Sequence, residues 1–223
     1  MKIGVIGAGS IGGNAARLLA ASGHDVLLSF SRDPGRLAGL ARDIGERAAV
    51  GSPRDAAQFG EAVMLSVPWS AIPDALEQAG PLDGKIVIDT TNQFGPGGVQ
   101  QIPGGLTAAQ HNQQRMPGAR LVKSFNTLTS RFQTAQAGRT EPGARVVLFL
   151  CGDDLRAKEV VAGLIEDAGF APVDLGGLGD ARPMEAPRRP GAVYGEEYRP
   201  ADANAVRQAL LAGRPIPPTP AYD

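Results

Sequence analysis

The sequence predicts an α/β fold: a doubly wound, mainly parallel sheet flanked by helices, followed by a proline-rich C-terminal extension. Three observations predict it. Short apolar runs alternate with helically spaced segments as far as residue 180. A glycine-rich turn, Gly7-Ala8-Gly9-Ser10-Ile11-Gly12, joins the first apolar run to the first helical segment. From Ala181 onward the composition shifts, and eight of the 18 prolines fall there. Strands that alternate with helices build βαβ units, which require a parallel sheet.

The elements follow in order. Lys2–Ile6 is a short apolar strand that stops at Gly7. Residues 10–22 have helical spacing, with Ile11, Ala15, Leu18 and Leu19 on one face and Gly23 at the C-terminal cap. Residues 25–30 form the second strand around Val26, Leu27 and Leu28; residues 36–44 are helical, and 48–50 make a short third strand. Residues 63–67 form a strand ended by Pro68, and Ile86–Asp89 another, entered through Asp83-Gly84. Residues 121–125 and 146–151 complete the central strands. A helix over 155–168 carries Leu155, Val160, Val161, Leu164 and Ile165 at apolar positions, and 172–175 is a last edge strand. Residues 91–114, rich in Gly, Gln and Asn, read as a long loop with one or two helical turns; such loops at the C-terminal edge of a sheet often carry function.

The chain has 223 residues, 43% of them apolar and 20% charged, which is ordinary globular usage with material for one core. Residues 1–180 read as one nucleotide-binding domain. Residues 181–223 read as an extension too rich in proline for a core of its own. It packs on the domain or on a partner subunit, with Val193, Tyr194 and Tyr198 as anchors and a small helix over 203–211. An extended tail that can wrap a neighbour predicts a homodimer. A net charge of -1 offers no attraction to nucleic acid or an anionic membrane. One cysteine excludes an intrachain disulfide and fits a reducing compartment, and with only two histidines no metal site is expected. The apolar start is too short for a signal-peptide core and no run spans a bilayer, so a soluble cytoplasmic protein is expected.

The glycine turn carries the first functional inference. Gly7 permits the tight turn after the strand, Gly9 lets backbone approach a pyrophosphate, and Gly12 lets the helix pack on the strand. Ala8, Ser10 and Ile11 complete the turn, and the helix start presents free N–H groups to phosphate. Strand, glycine turn and helix in this order define a Rossmann-type dinucleotide site. The second strand selects the dinucleotide. An NAD site places Asp or Glu at its end to hold the ribose 2′-hydroxyl. Here the strand ends Leu28-Ser29-Phe30-Ser31-Arg32. Hydroxyls and an arginine suit a 2′-phosphate, so NADP(H) is predicted, with Ser31, Arg32 and Arg36 as its ligands. Asp33 is expected to point outward. Further contacts come from later strand ends: Ser66, Val67 and Pro68 along the dinucleotide, and Asn92 of Asp89-Thr90-Thr91-Asn92 near ribose or carboxamide.

Taken together, these segments resemble the F420-dependent NADP oxidoreductase family. The resemblance runs from residue 1 to about Glu185. Besides the glycine turn it rests on Gly23-His24-Asp25-Val26, Ser29-Phe30-Ser31-Arg32, Val67-Pro68-Trp69, Asp89-Thr90-Thr91-Asn92, Val122-Lys123-Ser124-Phe125-Asn126-Thr127 and Cys151-Gly152-Asp153-Asp154. It implies NADP(H) at the first segments and a second redox partner stacked near Phe125-Asn126-Thr127. Family members that use the deazaflavin F420 carry histidine where Asn126 stands. The Lys-Ser-Phe-Asn-Thr form is similar to the cytosolic domains of six-transmembrane metalloreductases, which pass electrons from NADPH to a flavin.

Hydride transfer between two rings needs alignment and exclusion of water more than acid–base groups. Asn126 is therefore the candidate for holding the acceptor ring, with Thr127 assisting through its hydroxyl. The predicted function is an NADP(H)-dependent oxidoreductase acting on a small-molecule acceptor, either F420 or FAD/FMN in flavin or ferric reduction. A non-catalytic NADP(H)-binding redox sensor is the alternative. Among the other polar residues, Lys123 either flanks the crevice or snorkels outward, and His24 is structural. His111 lines an acceptor pocket or sits in a solvated loop. Trp69 walls a ring or packs in the core, Cys151 is a buried small residue, and Asp153-Asp154 caps the next helix. Gly176-Gly177-Leu178-Gly179 either closes over the nicotinamide side or is a plain connection.

Overall fold

Four of the five residues of Lys2–Ile6 are buried, and this strand, β1, lies deep in the sheet. The computed structural model describes every residue except Arg32, Thr140 and Asp223. After β1 come α1 (Ser10–Ala21), β2 (Asp25–Ser29), α2 (Pro34–Ile44), β3 (Ala48–Val50), α3 (Pro53–Phe59), β4 (Ala62–Leu65), α4 (Ile72–Ala79) and β5 (Ile86–Asp89). A hairpin, β6 (Phe94–Gly95) and β7 (Gly98–Val99), leads to α5 (Ala108–Arg115), β8 (Arg120–Lys123), α6 (Ser130–Gln136), β9 (Val147–Gly152), α7 (Leu155–Asp167), β10 (Ala171–Asp174) and α8 (Pro200–Leu211).

The main sheet has eight strands in the order β10-β9-β8-β5-β4-β1-β2-β3. From β8 to β3 every pairing is parallel. β9 runs antiparallel to β8, and β10 follows β9 in parallel. The chain leaves β1 toward β2 and β3, then returns to β4 on the other side. That reversal opens a crevice at the carboxyl ends of β1 and β4, where doubly wound sheets bind ligands.

Successive strand residues feed two cores, one on each face. Ile6, Val63, Leu65 and Val87 belong to one, and Ile3, Val5, Met64 and Ile88 to the other. Strands covered on both faces read as unbroken apolar runs, as β4 and β5 do. Three helices give no such signal. α3 buries only Pro53, Ala56 and Ala57, α4 only Ile72, Ala75 and Ala79, and α6 only Gln133. The alanine and glutamine faces of α3 and α6 carry little hydrophobic periodicity; α4 is amphipathic through Ile72 and Leu76 but spans only eight residues. Residues 91–114 are more ordered than a loop: the hairpin occupies 94–99, and α5 is a two-turn helix opened by a Thr107–Gln110 capping box.

The extension contributes Ala181, Met184, Val193, Tyr198, Ala203 and Val206 to the core that holds β4 and β9. The Tyr198 ring meets Phe149 of β9 edge-on at 5.4 Å. Among the described residues no helix is long and apolar enough to cross a membrane. His24 is buried, with Nε2 2.9 Å from Asp167 Oδ2 at the end of α7.

Cys151 lies fully buried in β9, and burial pushes its thiol far above the ordinary value. The native chain is therefore expected to resist thiol reagents until denaturant unfolds it; rapid labelling in native buffer would show that β9 opens locally. Asp154 caps α7 by accepting from the Ala157 N–H at 2.8 Å, and Arg120 of β8 grips both its oxygens at 2.8 Å. Chiefly the Arg120 guanidinium, and then the Ala157 N–H, hold this carboxyl well below the usual carboxylate range. The contact is complete above the ordinary value of 3.8 and is lost as pH falls below it. Asp154→Asn should flatten the acid limb of a Tm–pH profile between about pH 5 and pH 3. Parallel limbs would show the contact to be without effect.

Candidate functional site

The ends of β1, β2, β4, β5 and β8 form one crest. At the end of β1 the chain turns through Gly7, whose φ of +100° is left-handed. A Cβ there would stand 2.4 Å from the Ser66 carbonyl oxygen. A Cβ on Gly12 would stand 2.2 Å from the Gly7 carbonyl oxygen and 2.9 Å from Ser66 Cβ. Both glycines are thus demanded by packing of the turn against the end of β4. Gly9 is different. Its φ is an ordinary -75°, and among the described residues no atom beyond its chain neighbours lies within 4 Å of where its Cβ would be. The fold places no demand for glycine at this position; the space beside it is open.

α1 begins at Gly9 with no side-chain cap and no acidic residue in its first turn. By contrast α2, α3, α5, α6 and α7 are capped by Asp33, Ser52, Thr107, Thr129 and Asp154. The α1 terminus keeps its orphan N–H groups and its positive dipole end for another partner. Ala8, Gly9 and Ser10 line an open cleft of about 600 Å³ together with Arg36 on α2. Arg36 is exposed and forms no ion pair among the described residues. Ser31 is tied locally, donating to the Asp33 carbonyl at 3.0 Å and accepting the Asp33 N–H at 3.1 Å. Asp33 is exposed, and its carboxylate accepts from Gly35 N at 2.9 Å and Arg36 N at 3.2 Å. Arg32 falls outside the described residues.

Beyond β4, the Ser66 N–H donates to Ile6 O at 2.8 Å, and the Thr90 hydroxyl donates to Ser66 Oγ at 2.9 Å. Val67 is buried and Pro68 exposed, so Pro68 presents the surface of this segment. Trp69 is packing: it stacks on His111 of α5 at 6.0 Å, with the Arg115 guanidinium 4.7 Å from its centroid. His111 is accordingly on a helix, not in a solvated loop, and burial followed by the Arg115 charge lowers its pKa. Gly176-Gly177-Leu178-Gly179 lies against α5, where Thr107 Oγ1 donates to Leu178 O at 2.7 Å, and lines neither this cleft nor the crevice described below.

Lys123 does not snorkel. It is fully buried at the end of β8, and its Nζ lies 3.2 Å from Oδ2 of the equally buried Asp89. The parallel register sets Asp89 directly beside Lys123. The ammonium also donates to Thr91 O. Asp89 accepts further bonds from Thr91 N at 2.9 Å, Thr91 Oγ1 at 2.7 Å and Asn112 Nδ2 at 3.0 Å.

This network braces the two loops that carry Asn92 and Asn126. Asn126 Nδ2 donates to Asn92 Oδ1 at 3.1 Å and to Met184 O at 2.6 Å, while Asn92 Nδ2 donates to Asn126 O at 3.0 Å. Because both Nδ2 partners are acceptors, the orientation of the Asn126 amide is fixed. Its Oδ1 is buried and has no partner among the described residues. Asn92, Asn126 and Thr127 join Ser10 and Ile11 in a crevice of about 630 Å³. Its far wall, which the sequence did not reveal, comes from Phe94, Phe132, Arg188 and Tyr194. Phe94 and Tyr194 lie 6.4 Å apart with tilted rings. The Gly195 N–H donates to Thr127 O at 2.8 Å and holds the extension against this loop. Among the described residues the only non-glycine positive φ angles are Phe30 (54°) and Phe125 (59°), each just past a strand end at the crest. Strained backbone of this kind concentrates at ligand sites.

An uncapped α1 terminus at the switch point of a doubly wound sheet, opening onto an aromatic-walled crevice, defines a dinucleotide-binding oxidoreductase. Residues 2–93 match the family model described as NADP oxidoreductase, coenzyme F420-dependent. Over these residues the chain carries a domain of this NADP-dependent oxidoreductase family. It is 32% identical to the metalloreductase STEAP3 of Rattus norvegicus over 185 residues, which is 83% of this chain and 36% of that protein. The chain thus spans about a third of the length of that curated relative. Among solved structures it resembles the hypothetical protein SMa0349 of Sinorhizobium meliloti, with 31% identity, coverage of 89% of this chain and 95% of that one, and a TM-score of 0.77. A protein of Arthrobacter sp. FB24 assigned as an F420-dependent NADP reductase shares 27% identity over 82% of this chain and 87% of its own, with a TM-score of 0.68.

Removing one member of the Asp89–Lys123 pair leaves the other charged and buried. Lys123→Met should cost about 3–5 kcal/mol in urea unfolding. The double variant Lys123→Met/Asp89→Asn should cost less than the sum of the single variants. Strict additivity would show that the pair is not coupled.

Proposed function

We propose that NADP(H) lies across the crest, with its pyrophosphate at the α1 terminus and its nicotinamide toward Asn92 and Asn126. A flavin-like or deazaflavin acceptor then occupies the aromatic crevice. The observation that carries this reading is Gly9. Nothing among the described residues forbids a side chain there, and glycine at this place in the turn lets the main chain approach a pyrophosphate. In this reading Gly7, Ala8, Ser10, Ile11 and Gly12 shape the phosphate cradle. Ser31, Arg32 and Arg36 meet the 2′-phosphate, and Ser66, Val67 and Pro68 follow the dinucleotide.

When bound, the nicotinamide supplies or takes up the hydride. The chain's own part is to align and to exclude water. Asn126 Oδ1, buried without a donor, accepts an N–H from a ring or a carboxamide. Thr127 lines the same floor, and Phe94, Phe132 and Tyr194 give flat apolar surfaces on which a ring stacks. Similarity to STEAP3 across most of the chain, with asparagine at 126, favours FAD or FMN as the acceptor; the family model favours F420.

Titration with NADPH and NADH tests the cofactor half. Gly9→Val should abolish binding of both. Arg36→Ala and Arg32→Ala should each weaken NADPH by about 1–3 kcal/mol and leave NADH nearly unchanged. If NADH binds as tightly as NADPH and neither arginine matters, the 2′-phosphate assignment fails. NADPH oxidation with F420, FAD and FMN then tests the acceptor; no turnover with any of them leaves a nucleotide-binding sensor.

A further inference from the structure

Two short loop segments divide the aromatic crevice from a second cavity of about 430 Å³. Neighbouring side chains of each segment line opposite cavities. Asn92 and Phe94 face the crevice, while Gln93 between them faces the second cavity. Arg188 faces the crevice, while Pro187 and Arg189 on either side face the second cavity. Gln93 Nε2 donates to Ala186 O at 2.9 Å and ties the two segments into one wall.

The second cavity has two cations, Arg182 and Arg189, neither paired with a carboxylate among the described residues. Their bonds go to backbone carbonyls. Arg182 Nη2 donates to Gly105 O at 2.6 Å, and Arg189 donates to Glu185 O and Pro187 O at 2.9 Å and to Arg182 O at 2.6 Å. Those bonds leave the Nε of both guanidinium groups, and Nη1 of Arg182, without an acceptor among the described residues. The carboxylate that also lines this cavity, Glu185, is 3% exposed and already engaged: its two oxygens accept the Ala108 and Ala109 N–H groups of α5, each at 2.9 Å. Gln93 is 7% exposed, and its Oε1 has no partner among the described residues. Because Nε2 is committed to a carbonyl, the amide cannot exchange its ends to relieve this.

We propose that this cavity binds a small oxyanion, carboxylate or phosphate, that carries an O–H or N–H beside its charge. Arg182 and Arg189 take the anion through their open donors, and Gln93 Oε1 takes the ligand's proton donor. The site stands apart from the dinucleotide crest and shares one wall with the crevice.

Calorimetric titration of the full chain with inorganic phosphate, malate and succinate, with and without saturating NADPH, tests the proposal. One equivalent of phosphate and of malate should bind, and malate more tightly than succinate, which lacks the hydroxyl. Arg182→Gln and Arg189→Gln should each weaken both anions at least about tenfold, as loss of a charge-assisted hydrogen bond does. Arg188→Gln, one residue away on the other side of the wall, should leave them unchanged. NADPH affinity should be the same in the Arg182 and Arg189 variants as in the wild type, which also reports that they fold. Should either glutamine variant fold poorly, the corresponding lysine variant keeps the charge without the fork and should still weaken malate. Four results would overturn the proposal: no saturable binding of either anion, undiminished binding in the Arg182 and Arg189 variants, equal loss in Arg188→Gln, or displacement of the anion by NADPH. The last would place it on the dinucleotide crest. Equal affinity for malate and succinate would remove Gln93 from the site.

Discussion

The buried Asp89–Lys123 pair is the constraint on which the crest depends. Two charges with no exposure are tolerated in an apolar interior only when each is opposed and hydrogen-bonded. The chain meets that demand with Thr91 and Asn112, and meeting it fixes geometry. β5 and β8 are held end to end, so the loops leaving them emerge in register. Asn92 rides on one loop and Asn126 on the other, and their amides bond reciprocally across the gap. A well-packed apolar pair could give equal or greater stability. It would not bond the Thr91 carbonyl, which the Lys123 ammonium holds one residue before Asn92. The ion pair is better understood as a positioning device than as a source of stability.

The glycine turn separates two kinds of requirement that a motif alone cannot distinguish. Gly7 and Gly12 are fixed by the protein's own atoms, since side chains there would collide with the Gly7–Ser66 contact. Gly9 is fixed by nothing in the chain. The same division holds among helix starts. Five helices spend a side chain on their own N–H groups, and α4 and α8 begin with proline within their first two residues. α1 does neither, at the one terminus that faces the switch point.

Much of this was legible in the sequence, and the reasons differ by element. Parallel strands buried on both faces appear as continuous apolar runs, so nearly every strand of the main sheet was placed to within a residue or two. Helices α3 and α6 escaped because they rest on alanine, proline and glutamine rather than on large apolar side chains, and α4 because its apolar face, Ile72 and Leu76, spans only eight residues. Whether Lys123 flanks the crevice or snorkels outward could not be read locally, because its partner stands 34 residues earlier. An Asp and a Lys closing adjacent parallel strands was the available sign. The near wall of the crevice comes from strand-end motifs and could be read locally. The far wall could not. Phe94 sits in a polar segment, and Arg188 and Tyr194 belong to the proline-rich extension, whose path is decided by tertiary contacts such as Met184 O with Asn126.

Unpartnered buried amide atoms show where the fold leaves chemistry open. Most native buried polar groups are satisfied, so each exception calls for a cause. The Gln133 side chain spends its Nε2 holding the carbonyls of Phe125 and Leu128, and its free Oε1 lies inside packing that lines no cavity described above. Asn14, Asn126 and Gln93 differ. Each has one amide atom held by the protein and the other without a partner, and each lines a separate cavity: the cleft beside the glycine turn, the aromatic crevice and the chamber behind it. Holding one end of an amide fixes what the other end can do. Asn126 and Gln93, whose Nδ2 and Nε2 are held by main-chain carbonyls, are left with acceptors. These three stand where ligands can complete them. The cost in the free state is a small loss of stability, and the return is a preorganised contact when the cavity fills.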